Sequence, residues 1–173
     1  MRPAVAFAAG VLALLAGCAS PQSAEKPDPE PATSAPDTSS AEERALEAYE
    51  GMMGALVEAS LEGATENPEI DWYAKGQAAD LTQGMLIGVR ASGEPKLHPE
   101  VDKVDLEADP PAVIIEDCVD GSDWQVVEED VKTIKGNWVE GEGPRPYTAT
   151  VTEEDGSWMV EKLWLGDYGD CQL

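Results

Sequence analysis

The sequence predicts an α+β domain on three observations: helical spacing of apolar residues between positions 41 and 91, alternating spacing beyond Gly93, and tight-turn residues separating the alternating runs. Helices first and an antiparallel sheet afterwards is the order that class shows. At 173 residues the chain has room for one such domain with appendages.

The first helix is expected from about Ala41 to Leu61. Ser40 and Glu43 stand at capping-box spacing, where hydroxyl and carboxylate satisfy free backbone donors. Leu46, Tyr49, Met53, Leu56 and Ser60 then recur at three and four residues and make one face apolar. Gly63 and the Asn67-Pro68 pair close the element. A second helix is expected from Asp71 to Ala91, with Trp72, Leu81, Met85 and Val89 on one side and Gly93 as terminator. Gly76, Gly84 and Gly88 weigh against it at about 1 kcal/mol each relative to Ala. Gly84-x-x-x-Gly88 is too weak a pattern to carry a packing argument.

Five stretches suit strands, being rich in Val, Ile, Tyr, Trp and Thr: Val101–Glu107, Ala112–Val119, Trp124–Val131, Tyr147–Val151 and Trp158–Leu165. Asp109-Pro110-Pro111, Asp120-Gly121, Gly141 to Pro146 and Asp155-Gly156 lie between them. The last is the strongest signal, because Asp-Gly favours the positive dihedrals of a two-residue hairpin turn. Five Trp supply the aromatic volume of a domain whose only Phe in the chain lies at position 7. Even spacing puts Trp158 and Trp164 on one sheet face, with Trp158 in the core. Trp138, beside Asn137 and a Gly-rich turn, is the exposed candidate for a partner contact.

Residues 1–17 have the anatomy of a secretory signal peptide: Arg2, an apolar run from Ala4 to Leu15, then small residues. The run is shorter than the roughly 20 residues a membrane span requires. Leu15-Ala16-Gly17-Cys18 resembles the bacterial lipobox, which implies cleavage before Cys18 and a diacylglycerol thioether on its sulfur. Two acyl chains give stable anchoring to a membrane. From Cys18 to Ser40 the chain is rich in Pro, Ser and Ala and lacks large apolar side chains, so it is expected to be a disordered tether. Its reach is about 70 Å if polyproline-like and about 26 Å as a flexible coil. The folded domain occupies residues 41–173. Export places Cys118 and Cys171 in an oxidising compartment and lipidation removes Cys18, so a Cys118–Cys171 disulfide is expected, with two separate buried thiols as the alternative.

The formal charge is −24, and residues 41–173 hold 31 of the 35 acids against 9 of the 11 bases, a net −22. Such a field opposes nucleic-acid and anionic-membrane binding and favours cationic partners. His98 is the single imidazole and stands beside Pro99, where a solvated loop residue is expected. Asp117, Asp120 and Asp123 near Gly121, and Glu128-Glu129-Asp130, depart from the calcium-loop pattern and read as acidic surface. No metal and no cofactor is expected.

Two helices, the approach Lys96-Leu97-His98-Pro99-Glu100-Val101, the run Asp117-Cys118-Val119-Asp120, the strand Tyr147–Val151 and the closing Asp155-Gly156-Ser157-Trp158-Met159-Val160 with a terminal Cys resemble secreted lipoproteins of high-GC Gram-positive bacteria with a nuclear-transport-factor-2-like domain. The resemblance covers roughly residues 41–173. It implies a cone: N-terminal helices packed on a strongly curved antiparallel sheet, with a pocket between them. Tyr49, Met53, Tyr147 and Trp158 are the expected pocket lining. Enzymatic members pair an Asp with a His or Tyr across that pocket, and Tyr49 and Tyr147 occupy positions that packing explains as well. The expected function is therefore a lipid-anchored, non-enzymatic domain on the extracytoplasmic face of the cell membrane that holds a cell-envelope protein. The alternatives are a carrier or receptor for a small apolar ligand and, third, an isomerase- or dehydratase-like enzyme.

Overall fold

A computed structural model describes residues 37–132, 134 and 141–173. The signal peptide, Cys18, nearly all of the tether and Trp138 lie outside the described residues.

Helix α1 spans Thr38–Glu62 and begins earlier than the capping box predicts. Asp37 is the N-cap, its carboxylate accepting from the Ser39 N–H at 2.9 Å. Ser40 lies inside the first turn, where its hydroxyl donates to the Asp37 carbonyl. The helix ends where expected: Gly63 adopts φ 70°, and the Ala64 N–H reaches back to the Ala59 carbonyl at 3.0 Å.

The second expected helix is divided. Asn67 caps a 3-10 helix at Pro68–Trp72, and helix α2 runs only from Gly76 to Gly84. The residues between them serve the sheet instead, which explains the break. Strands β1 (Ala91–Ser92), β2 (Glu100–Asp105), β3 (Ala112–Val119) and β4 (Gln125–Val126) follow, then the one-turn helix α3 (Glu128–Val131), β5 (Arg145–Glu154) and β6 (Ser157–Leu165). The Val160 N–H donates to the Tyr73 carbonyl and the Lys75 N–H to the Val160 carbonyl, both at 2.8 Å. The Gln77 side chain brackets Leu163 in the same way, accepting from its N–H and donating to its carbonyl. The outer edge of β6 is thus partly satisfied by side chain and loop, which blunts edge-to-edge pairing. Trp72, expected on an apolar face, is left 66 % exposed.

The main sheet is four-stranded and antiparallel in the order β2-β3-β5-β6. It neither closes nor curls strongly, so the expected cone is not formed. The stretch Trp124–Val131, expected as a full strand, supplies the reason. Its Gln125–Val126 pairs with β1 in a separate two-stranded ribbon, and Glu128–Val131 turns into α3, so this stretch adds no strand to the main sheet. The α+β class stands and the curved architecture does not.

One face of the sheet carries Val113, Ile115, Val119, Ala149, Val151 and Val160 into a core shared with α1. The β5–β6 hairpin turns at Asp155-Gly156, with φ of 52° and 83°, as the dipeptide predicts. Trp158 is buried as expected, but Trp164 is 62 % exposed and does not share its face. Thr150 pairs with Lys162 and Val151 with Val160, so Glu161 is an extra residue in β6. That bulge shifts the inward positions from even to odd numbers, and Leu163 replaces Trp164 in the core. Cys118 and Cys171 form a disulfide that ties the C-terminal segment to β3 across a sequence separation of 53.

Two glycines of α1 differ in kind. A Cβ on Gly51 would collide with the Tyr73 ring, whereas one on Gly54 would meet no atom within 4 Å. Gly51→Ala is expected to destabilise the domain by about 1–3 kcal/mol through overpacking, and Gly54→Ala to stabilise it by up to about 1 kcal/mol through helix propensity. Opposite shifts of the denaturant midpoint check both. Replacing Cys118 and Cys171 together by Ala is expected to cost about 2–4 kcal/mol by the same measurement.

Candidate functional site

The flank of α1 beside its core-facing side is not uniformly polar. Glu50, Met53, Gly54, Val57, Glu58 and Leu61 recur at three- and four-residue spacing and form one wall and the floor of a groove of about 390 Å³. The opposite wall is the segment after β1, through Glu94, Pro95 and Leu97. From Glu50 to Leu61 the groove follows the helix for roughly 16 Å. Its floor is apolar and its rim carries Glu50, Glu58 and Glu94, all exposed.

Three attachments hold the second wall in place. Lys96 and Asp120 exchange backbone hydrogen bonds of 2.9 and 3.0 Å. The Lys96 ammonium turns to Asp123 at 2.8 Å and Asp120 at 3.5 Å, and these two, Asp123 first, raise its pKa. A Cβ on Gly93 would collide with the Asp123 carbonyl, so the segment approaches that loop as closely as its backbone permits. Among the described residues none of the three rim glutamates forms an ion pair, and the one cation of the wall is already engaged elsewhere.

The third attachment lies beneath the groove. Asp117 points inward from β3 and is 4 % exposed. Its Oδ2 accepts from the Tyr49 hydroxyl at 2.9 Å and its Oδ1 from the His98 N–H at 2.8 Å. Tyr49 precedes the first groove residue of α1, and His98 follows the last residue of the other wall. One carboxylate therefore holds both walls. Burial raises the Asp117 pKa above the ordinary carboxylate range, against the opposing effect of its two hydrogen bonds. Burial and then the Asp117 charge push the Tyr49 phenol upward. Tyr147, opposite Asp117 in the sheet, is raised to about 12, chiefly by burial.

The four residues expected to line a cone pocket are all buried, and Tyr49, Tyr147 and Trp158 pack into the core. Met53 belongs to the core and also borders the groove. The structure thus gathers Tyr49, Tyr147 and Asp117, which is buried rather than part of the expected acidic surface, around one polar contact, while the groove runs along the flank of α1 that Met53 borders. A lone Asp at an inward position of an alternating strand, between Ile115 and Val119, is the sequence signal that could have found that contact. A mid-helix Gly54 beside Val57 and Leu61 is the signal that could have found the groove. His98 is exposed, as expected, and it is its backbone N–H that hydrogen-bonds Asp117. Among the described residues no group of three or more His, Cys, Asp or Glu is placed to hold a metal ion.

Asp117→Ala would leave the Tyr49 and His98 donors without their acceptor, at an expected cost of about 1–3 kcal/mol for each buried one. Asp117→Asn keeps an acceptor oxygen for the His98 N–H, and its NH2 can donate to the Tyr49 hydroxyl with that bond reversed. With its native pKa raised, Asp117 loses its proton in the unfolded chain before it does in the folded one. Its contribution to stability therefore falls as pH rises from the ordinary carboxylate pKa through the raised one. The stability of the wild-type protein relative to Asp117→Asn is expected to increase as pH is lowered from neutrality into that window, measured by urea denaturation at several pH values.

Compared with protein-family models, with curated proteins and with solved structures, the chain matches none. Nothing in those comparisons supports the expected relation to nuclear-transport-factor-2-like lipoproteins, and the open sheet contradicts it. The domain stands as an open-sheet α+β unit with a groove along its first helix.

Proposed function

We propose that the protein is a lipid-anchored interaction domain on the extracytoplasmic face of the cell membrane, held at a distance by its tether and docking a cell-envelope protein. The observation that carries this reading is the groove: an apolar floor open to solvent along a helix, with exposed carboxylates at its rim. Apolar anchors with charged surroundings suit a protein partner. Such a site encloses a small ligand poorly, since pockets for small molecules bury most of the ligand surface. The buried carboxylate is an unsuitable general base because both of its oxygens hold internal donors and it is closed to solvent.

Anchoring and docking are tested together in the native type of host. The mature wild-type chain is expected in the membrane fraction with the mass of its acyl groups, and Cys18→Ser in the soluble or secreted fraction without it. A photoreactive residue at position 54 in the groove, or at position 107 in the exposed turn after β2 and outside the groove, is expected to give a discrete adduct with an envelope protein that requires Cys18. An unacylated wild-type chain would overturn the anchor, and the lack of any Cys18-dependent adduct from either position would overturn the docking role.

A further inference from the structure

We infer that the occupant of the groove is a cationic amphiphilic segment of a partner protein, with apolar side chains on the floor and Lys or Arg side chains against Glu50, Glu58 and Glu94. This rests on the interaction reading above and names the chemistry of the partner. Charge complementarity carries it. The three rim carboxylates are exposed and form no ion pair among the described residues, and Lys96, which could have answered Glu94, is held by Asp120 and Asp123 on the other side of its segment.

Gly54 gives independent support. Glycine in a helix interior is disfavoured by about 1 kcal/mol relative to Ala. Gly51 is explained by the Tyr73 ring against it, but among the described residues no atom lies within 4 Å of a Cβ built on Gly54. It lies on the groove floor between the apolar and acidic positions, where a missing side chain lets a partner's backbone approach the helix. The net −22 of residues 41–173 draws cations toward the surface and disfavours a second copy of the same domain. The tether is a poor occupant for the same reason, since Glu25, Asp28 and Glu30 outnumber Lys26.

The test uses the full mature chain carrying Cys18→Ser, which keeps detergent out of the assay, and an amidated Leu/Lys peptide about 12 residues long with Leu at helical spacing. Binding is measured by calorimetry at about 0.15 M salt, where distant charges are screened. The triple change Glu50→Gln, Glu58→Gln and Glu94→Gln is expected to weaken binding at least about tenfold. The same change in charge at exposed Glu66, Asp80 and Glu107, as Glu66→Gln, Asp80→Asn and Glu107→Gln, is expected to weaken it less than about twofold. Gly54→Trp, which alters no charge, is expected to match the rim triple. Leu61→Gln, at an already exposed position, gives the same loss of anchoring should Gly54→Trp not fold.

Equal losses from the two triples, or full binding by Gly54→Trp and Leu61→Gln, would mean attraction by the overall field and would overturn the inference. In the host, an adduct from position 107 that persists in the rim triple while position 54 gives none would overturn the groove assignment and leave the interaction reading standing. A Cys18-dependent adduct from position 54 that disappears in the rim triple supports both.

Discussion

Asp117 is the interaction on which the arrangement of this domain turns. A carboxylate placed inward on a strand is unfavourable by itself, since burial opposes its charge. Here its two oxygens receive the Tyr49 hydroxyl from α1 and the His98 N–H from the segment ahead of β2. Helix, sheet and groove wall are thereby joined at one point. The same contact accounts for two of the expected pocket residues being packed, because Tyr49 and Tyr147 complete the buried surroundings of that carboxylate. The sheet has an aromatic and polar knot where a cone would have its cavity.

A second constraint is how the sheet ends. β6 meets Tyr73, Lys75 and Gln77, whose backbone and amide groups occupy part of its outer edge. On the far side β2 is short and charged, and it is irregular between Val101 and Lys103, where Asp102 has no opposite residue. Both features restrain further strand pairing. With both edges managed in this way the sheet stops at four strands, and the groove lies along α1 rather than on a sheet edge.

Charge acts at two ranges. The large negative excess sets solubility and favours cationic partners over distances of about a Debye length. Within the groove, three exposed glutamates stand at the rim of an apolar floor. Among the described residues the ion-paired cations are Lys75, Arg90, Lys96 and Lys103, and none of them pairs with a rim glutamate.

The sequence by itself determined the α+β class, the end of α1 at Gly63, the span of β3, the turn at Asp155-Gly156 and the pairing of Cys118 with Cys171. Each depends on local backbone chemistry or on simple counting, so residues near in the chain suffice. Only the tertiary structure decided which stretch joined which sheet. Trp124–Val131 has strand composition throughout, yet its fate depended on pairing with β1, a partner more than thirty residues earlier. The face of Trp164 depended on one extra residue at Glu161, and a period-two pattern carries no mark of where a bulge will fall. The helix expected at Asp71–Ala91 yielded its first residues, Tyr73 to Lys75, to the edge of β6, a hydrogen-bonding demand that local propensity does not register. The groove has the same origin: its two walls lie more than thirty residues apart in the chain and meet only because Asp117 and the loop around Asp120–Asp123 hold them there.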